Sequence, residues 1–463
     1  DPAELFPSLG AREMLDLHLR NNAGDLLPAL VNGTRGDFTA GAGVYFLLRA
    51  VTDGFSLTLV RGLTAFFSLA ALAGLALAAR RTAKAAWVYW LPLFFAATPF
   101  WLYYARTGSE EAQGAALAML ALAFYSLYLS GWQPGVLAAA LSGALAFYAA
   151  PGLRQSLPLA ALLLIFLHWK QHRQARPWSV IALAAALLGL LPFLRLWLAH
   201  PEAVRAGLTS LTPIWNPDDH FAAAFSAVRH NLGLILSPQT WYSGRNIESE
   251  GLFAGQPLLP LLYLPLSALG VGRMLWRWRN PQARLLLAGL IAAACGPALY
   301  RLTLADLLPL AWMLILSAFC GLAWPLDWLL ARWPSARRWL TPALTVLLAG
   351  LSLTYAFTRS ANNAAGQVFL YPQQIFRQLE TYLAVHPDQN VIISESWGND
   401  VETYRRFFAP QTRAIHGLNL DDFRYQINPA LQDAVMVLTP AEYDGLIASG
   451  KFSAEWTQPL WPD

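Results

Sequence analysis

With 463 residues, an apolar fraction of 56% against 13% charged, and a formal net charge of +4, the chain has the composition of a membrane-embedded protein rather than of a soluble globule. No Lys/Arg run is interleaved with aromatic residues, which excludes a nucleic-acid surface as the source of the basic excess. The two cysteines, Cys295 and Cys320, fall in apolar stretches and outside any CxxC or Cys/His spacing, which excludes a disulfide framework and a zinc site.

The chain opens at Asp1 with no apolar span ahead of it, and the expectation is that an initial transmembrane helix belongs before it. The block 1–50 mixes polar and apolar residues, with acids at Asp1, Glu4, Glu13, Asp16, Asp25 and Asp37. Leu5, Leu9, Met14 and Leu17 have the spacing of a short amphipathic helix lying along a membrane surface.

Apolar stretches follow at 56–79, 86–104, 112–130, 134–150, 156–169, 178–198, 256–273, 285–300, 305–324 and 340–357. At about 1.5 Å per residue most of these about ten segments are long enough to cross a hydrocarbon layer of about 30 Å. Every second connection is basic: Arg80, Arg81 and Lys84, then Lys170, Arg173 and Arg176, then Arg273, Arg277, Arg279 and Arg284, then Arg332, Arg337 and Arg338, with Asp327 the single acid among them. By the positive-inside rule these connections are cytoplasmic, which puts 1–50, 105–111, 151–155, 199–255, 301–304 and 358–463, and so both ends of the sequence, on the other side of a bacterial inner or plasma membrane.

The block 199–255 is too long for a turn and reads as a functional loop or lid. Its histidines, His200, His220 and His230, lack the i, i+4 spacing of a helical metal pair. From 359 the composition becomes that of a soluble domain. Helical spacing over Ile375–Val385 leads to a strand at Val391–Ser394, a helix at Val401–Phe408, strands at Thr412–Ile415 and Ala434–Leu438, and a helix over Ala441–Ala448 capped by Thr439. The chain thus divides into a polytopic all-α membrane domain, 1–358, and a small α/β domain, 359–463, with no Gly-rich phosphate cradle.

Charge inside or against a span costs about 2.5–3.5 kcal/mol on insertion scales and is kept for pairing, water-lined cavities or function. Arg61 lies in the first span, Arg106, Glu110 and Glu111 at the outer end of the second and third, and Arg154 at the next outer turn, with Arg195, Arg205, Arg245 and Arg301 further along the same face. Guanidinium groups beside isolated carboxylates suit an anionic lipid phosphate together with a general base. The plainer readings are a snorkelling anchor for a lone arginine and a helix N-terminus for Glu110 and Glu111.

Several runs carry a resemblance: Asp1-Pro-Ala-Glu4, Gly10-Ala-Arg-Glu-Met14, Gly43-Val-Tyr45-Phe-Leu-Leu48, Asp53-Gly-Phe-Ser56-Leu-Thr-Leu-Val-Arg61, Ala97-Thr-Pro99-Phe100 and Tyr104-Ala-Arg106. In order and spacing they resemble the opening of the GT-C glycosyltransferases of the protein O-mannosyltransferase and aminoarabinose-transferase type (glycosyltransferase family 39-like). The likeness continues over Tyr148 to Pro158, His200 to Arg205 and Asn231 to Pro257. It implies transfer of a sugar, with inversion, from a polyprenyl-phosphate donor to an extracytoplasmic acceptor on an envelope glycan, lipid or protein. An acid of the first outer loop would act as general base, and Asp1 is the matching position, with Glu4, Glu110 and Glu111 as further acids. The lipid phosphate would be held by Arg61, Arg106, Arg154 and Arg205. No cofactor is implied; some relatives use a divalent cation, for which no ligand cluster is evident. Membrane lipids and membrane-protein partners are expected, and no nucleic acid. Pro2 stands where the motif has its Glu, and Thr39 to Gly43 replace a Pro-Pro-Leu run, so the alternative is a catalytically degenerate structural subunit of a membrane complex on the same fold.

Overall fold

The computed structural model describes residues 31–32, 38–39, 57–83, 90–105, 107–150, 152–202, 204, 221–242, 257–299, 304–336, 338–340, 342–350, 372–394, 401–409, 412, 414–418, 434–438 and 440–448. They fall into two compact units, one holding the described residues up to 350 and one holding those from 372.

The first unit is helical apart from one short antiparallel pair, β1 (Val31–Asn32) with β2 (Phe38–Thr39). The amphipathic helix expected over Leu5–Leu17 lies outside the described residues. Four helical stretches among the described residues are long and apolar enough to cross a membrane: Arg61–Arg81, Glu110–Leu129, Arg176–Ala199 and Ala305–Arg332. Shorter helices, Gly135–Ala149, Leu153–Leu167, Tyr263–Trp276 and Pro281–Ala298, account for further apolar stretches, and 338–340 and 342–350 are helical as well.

The stretch 86–104 is not one helix but two, Leu91–Ala96 and Pro99–Tyr104. Pro99 cannot donate a backbone hydrogen bond and forces the residue before it out of the helical region; Thr98 is extended, with φ −100° and ψ 115°. The Phe94 carbonyl is then claimed by the Thr98 hydroxyl (3.1 Å) and the Tyr263 hydroxyl (2.7 Å), and Tyr263 stacks on the Phe94 ring. The block read as a long loop at 199–255 holds a further helix, Phe221–Leu236, whose Val228, Leu232 and Ile235 recur at helical spacing and pack on the core.

Two helices form the centre: two thirds of the apolar windows of both Glu110–Leu129 and Ala305–Arg332 are buried, whereas Arg176–Ala199 is 11% buried and turns its leucines outward. In lipid, outward-facing leucine carries no penalty, and close approach of backbones supplies the packing instead. Tyr263–Trp276 crosses Leu308–Arg332 so tightly that a Cβ on Gly270 would stand 1.8 Å from the Ser317 carbonyl oxygen, and one on Gly321 1.9 Å from that of Leu266. Cys295 and Cys320 are free thiols.

The helices sort charge to two ends. Arg80, Arg81, Arg173, Arg273 and Arg332 all stand in the last turns of helices, where the backbone dipole favours a cation. Gly131, with φ 101°, closes the 110–129 helix there: the Trp132 amide reaches the Leu127 carbonyl and the Gly131 amide that of Tyr128, which folds the 135–149 helix back antiparallel. At the same basic end His168, Tyr125, His172 and Ser179 join four helices in one hydrogen-bonded chain. Pro281 offers only a carbonyl, so His168 Nε2 donates to it (3.0 Å) and His168 Nδ1 accepts from Tyr125 (3.4 Å). Tyr125 accepts from His172 Nε2 (2.9 Å), and His172 Nδ1 accepts from Ser179 (3.1 Å). This ordering satisfies every member with both imidazoles neutral.

The second unit has a three-stranded parallel sheet in the order β4–β3–β5: β3 (Val391–Ser394) lies between β4 (Ile415–Leu418) and β5 (Val435–Val437). All four residues of β3 are buried, as befits a central parallel strand. The helices Pro372–Val385, Val401–Phe408 and Pro440–Ala448 match the expected alternation. The second strand sits at 415–418 and not at 412–415, because Thr412 is consumed by the end of the preceding helix. Its amide donates to the Ala409 carbonyl and its carbonyl accepts from Arg405 (2.9 Å), so pairing starts with Val391 opposite Ile415.

Candidate functional site

The end of the helical unit opposite the basic turns carries one buried and two half-buried acids. Ser109 is extended and its hydroxyl accepts from the Ala112 amide (3.3 Å), so the 110–129 helix starts with a side-chain cap followed directly by Glu110 and Glu111. The helix N-terminus favours negative charge at both positions. Glu110 is only 6% exposed. The turn before it is fixed by Thr107, whose hydroxyl donates to the Tyr104 carbonyl (2.9 Å).

A third acid joins them from a distant part of the chain. Asp306 lies in a single helical turn, Ala305–Leu307, that leads into the 308–332 helix. Its Oδ1 is where a side chain at Gly152 would go: a Cβ there would be 2.6 Å from it. Gly152 immediately precedes the Leu153–Leu167 helix, so the Asp306 carboxylate stands at a second helix N-terminus. Glu111 is within electrostatic reach of Glu110 and Asp306, and Tyr104 within reach of Glu111, Tyr103 and Asp306, so the three acids and this tyrosine form one group. Packing beneath the group is dense: Gln113 is fully buried and donates to Thr64 (3.1 Å), tying the 110–129 helix to 57–83, and a Cβ on Gly296 would overlap the Ser156 hydroxyl.

Of the residues expected at a site, Glu110 and Glu111 are therefore brought together with a third carboxylate. Arg154 lies two residues beyond Gly152, half-buried and within electrostatic reach of Tyr148. Arg61 is exposed, one turn before the Thr64 that meets Gln113. Asp1, Glu4, Arg106 and Arg205 lie outside the described residues. Asp306, Tyr104 and Gly152 were not among the expected site residues. Asp306 had a readable signal, a lone acid directly ahead of a long apolar run with proline at its second position, but nothing local linked it to Glu111. Among the described residues no group of three or more His, Cys, Asp and Glu is arranged to hold a metal ion.

A carboxylate at a helix end, with further carboxylates and a tyrosine within electrostatic reach, is chemically suited to take a proton from a hydroxyl. No protein-family model and no curated protein sequence matches the chain. Among solved structures it is similar to ArnT from Cupriavidus metallidurans bound to undecaprenyl phosphate, with a TM-score of 0.58 at 13% identity over 97% of this chain and 90% of that one. The same protein in the apo state gives 0.58 at 14% identity over 96% and 89%. ArnT is a membrane glycosyltransferase of the GT-C fold, and this chain has that fold. With its apolar helices it is an integral membrane protein.

Proposed function

We propose that the protein is a glycosyltransferase that moves a sugar, with inversion, from a polyprenyl-phosphate carrier to an acceptor outside the cytoplasm, the acidic end of the bundle facing outward. The observation that carries this reading is the convergence of Glu110, Glu111 and Asp306 at one end of a GT-C fold that matches ArnT over 97% of the chain. That ArnT holds undecaprenyl phosphate supports a polyprenyl-phosphate partner here.

In this reading a carboxylate takes the acceptor hydroxyl proton as the acceptor oxygen attacks the anomeric carbon. The bond from that carbon to the phosphate oxygen breaks, and the lipid phosphate leaves with its charge. Asp1 is the base implied by the resemblance, and among the described acids we assign the same role to Glu111, which lies within electrostatic reach of Glu110 and Asp306. Arg154, with Arg61, Arg106 and Arg205, would counter the charge on the leaving phosphate. The test is transfer by purified full-length protein from radiolabelled polyprenyl-phosphate sugars to envelope acceptors or water, beside Asp1→Asn, Glu111→Gln and Asp306→Asn. Turnover lost in at least one variant supports the enzyme and names its base. A folded protein inert toward every donor moves the reading to a structural subunit that kept the fold.

A further inference from the structure

Tryptophan is more exposed at one end of this bundle than at the other, among the described residues of the helical unit. Among the described residues of the helical unit, Trp276, Trp278, Trp324, Trp328, Trp333 and Trp339 are exposed at the basic end, with Trp132 and Trp169 on turns elsewhere at that end. At the acidic end Trp101, Trp241 and Trp312 are buried and Trp197 is half-buried. A tryptophan belt that only anchors a protein in a bilayer is expected at both interfaces, so anchoring alone does not account for the asymmetry.

Trp276, Trp324 and Trp328 stand on two helices that cross, and Trp278, Trp333 and Trp339 follow the ends of those helices in the chain. Gly270 meets Ser317 at the tight crossing of the 263–276 and 308–332 helices, and seven residues past Ser317 and Gly321, two turns on along the same face, come Trp324 and Trp328. One turn further on that face is Arg332, exposed in the last turn. On the partnering helix the crossing leads to Trp276, 91% exposed, and to the turn Arg277-Trp278-Arg279. Asp327 is the single acid among the described residues at this end; it is exposed and lies 3.9 Å from the half-buried Arg273. Arg277, Arg279 and Arg332 are exposed, and among the described residues at this end they outnumber the one carboxylate, Asp327, which already meets Arg273.

We propose that this face, where the 263–276 and 308–332 helices end, binds an anionic phospholipid: the phosphodiester on Arg277, Arg279 and Arg332, the acyl chains along Trp324 and Trp328. A guanidinium fork matches a phosphate, and the exposed indole faces of Trp324 and Trp328 can cover hydrocarbon. The site is independent of the sugar-transfer reading, since it lies at the other end of the bundle.

The test uses full-length protein reconstituted into nanodiscs of equimolar phosphatidylglycerol and phosphatidylcholine, then extracted in detergent, with retained lipid counted by mass spectrometry. Wild type is expected to retain phosphatidylglycerol in preference to phosphatidylcholine. The preference should fall by about fivefold for each guanidinium removed in Arg277→Gln/Arg279→Gln, and likewise in Arg332→Gln. The pair Arg173→Gln/Arg176→Gln, at the same end but away from the tryptophan face, should leave it unchanged. Equal retention of both lipids in wild type would overturn the proposal, and so would equal losses in the two double variants, which would mark a general field instead of a site. A dimer in detergent that dissociates on Trp328→Ala without loss of phosphatidylglycerol would assign the face to a second copy of the chain and overturn it too.

Discussion

The two ends of the helical unit handle charge in opposite ways. At the basic end Arg80, Arg81, Arg173 and Arg332 sit in last turns and are exposed, while the buried His168 and Tyr125 and the half-buried His172 and Ser179 are paired with one another. At the other end the acids are drawn inward: Glu110 is buried, and Glu111 shares its surroundings with Asp306, a residue almost two hundred positions away. An exposed cation in a helix's last turn is favoured by the dipole and hydrated by solvent, so it needs no partner to persist. Three carboxyl groups brought together, one buried and two half-buried, gain nothing for stability from their proximity, and a protein retains such an arrangement for what it does. The difference teaches where to look for chemistry: not where charge is most abundant but where it is least affordable.

The sharpest way to break this contrast is Glu111→Gln. It should lower sugar transfer by about two to four orders of magnitude, the range of a lost general base, while leaving the thermal unfolding midpoint in detergent unchanged or higher. Loss of activity together with collapse of the fold would make Glu111 structural. Next comes Gly152→Ala, which drives a methyl group into the Asp306 carboxylate and should destabilise the protein by about 1–3 kcal/mol, as overpacked sites do, with transfer falling in parallel.

At the basic end His172→Phe should cost about 1–2 kcal/mol, because it strips the Tyr125 and Ser179 hydroxyls of a shared partner. The pH dependence there has a definite sign. Burial holds both His168 and His172 below the ordinary imidazole value of 6.5, with Arg284 adding to the effect on His168. The unfolded chain then takes up protons first as pH drops, so this stability is complete above pH 6.5 and is lost as pH falls through and below it. Thermal unfolding followed from pH 8 to 5 should show that acid limb in wild type and a shallower one in His172→Phe. The smallest effect belongs to Arg173→Gln, an exposed charge whose removal should not move the unfolding midpoint at all. If it moved as far as His172→Phe, the exposed arginines would be structural and the contrast between the ends would fail.

How much of this was legible in the sequence varies by element. The apolar runs and the alternation of basic turns were read directly, as was the change to an α/β unit after 359, because each depends on local composition and period. The break at Thr98–Pro99 was there to be read from one proline, yet hydropathy alone ran the two helices together. The helix at 221–236 was passed over because its neighbours on both sides are polar. The strand at 415–418 was placed three residues early because the claim of Arg405 on Thr412 is a contact between elements and leaves no local trace.

By itself, then, the sequence determined the class of the protein, the two ends of its bundle and two of the three clustered acids, since hydropathy and helix-end chemistry act over a turn or two of chain. The tertiary structure alone decided that Asp306 stands against Gly152 within reach of Glu111, that the 263–276 and 308–332 helices touch through bare glycine, and which of the described tryptophans are exposed. Those outcomes depend on which helix faces pack together, and helices that are apolar all round carry no stripe from which the packing face can be foretold.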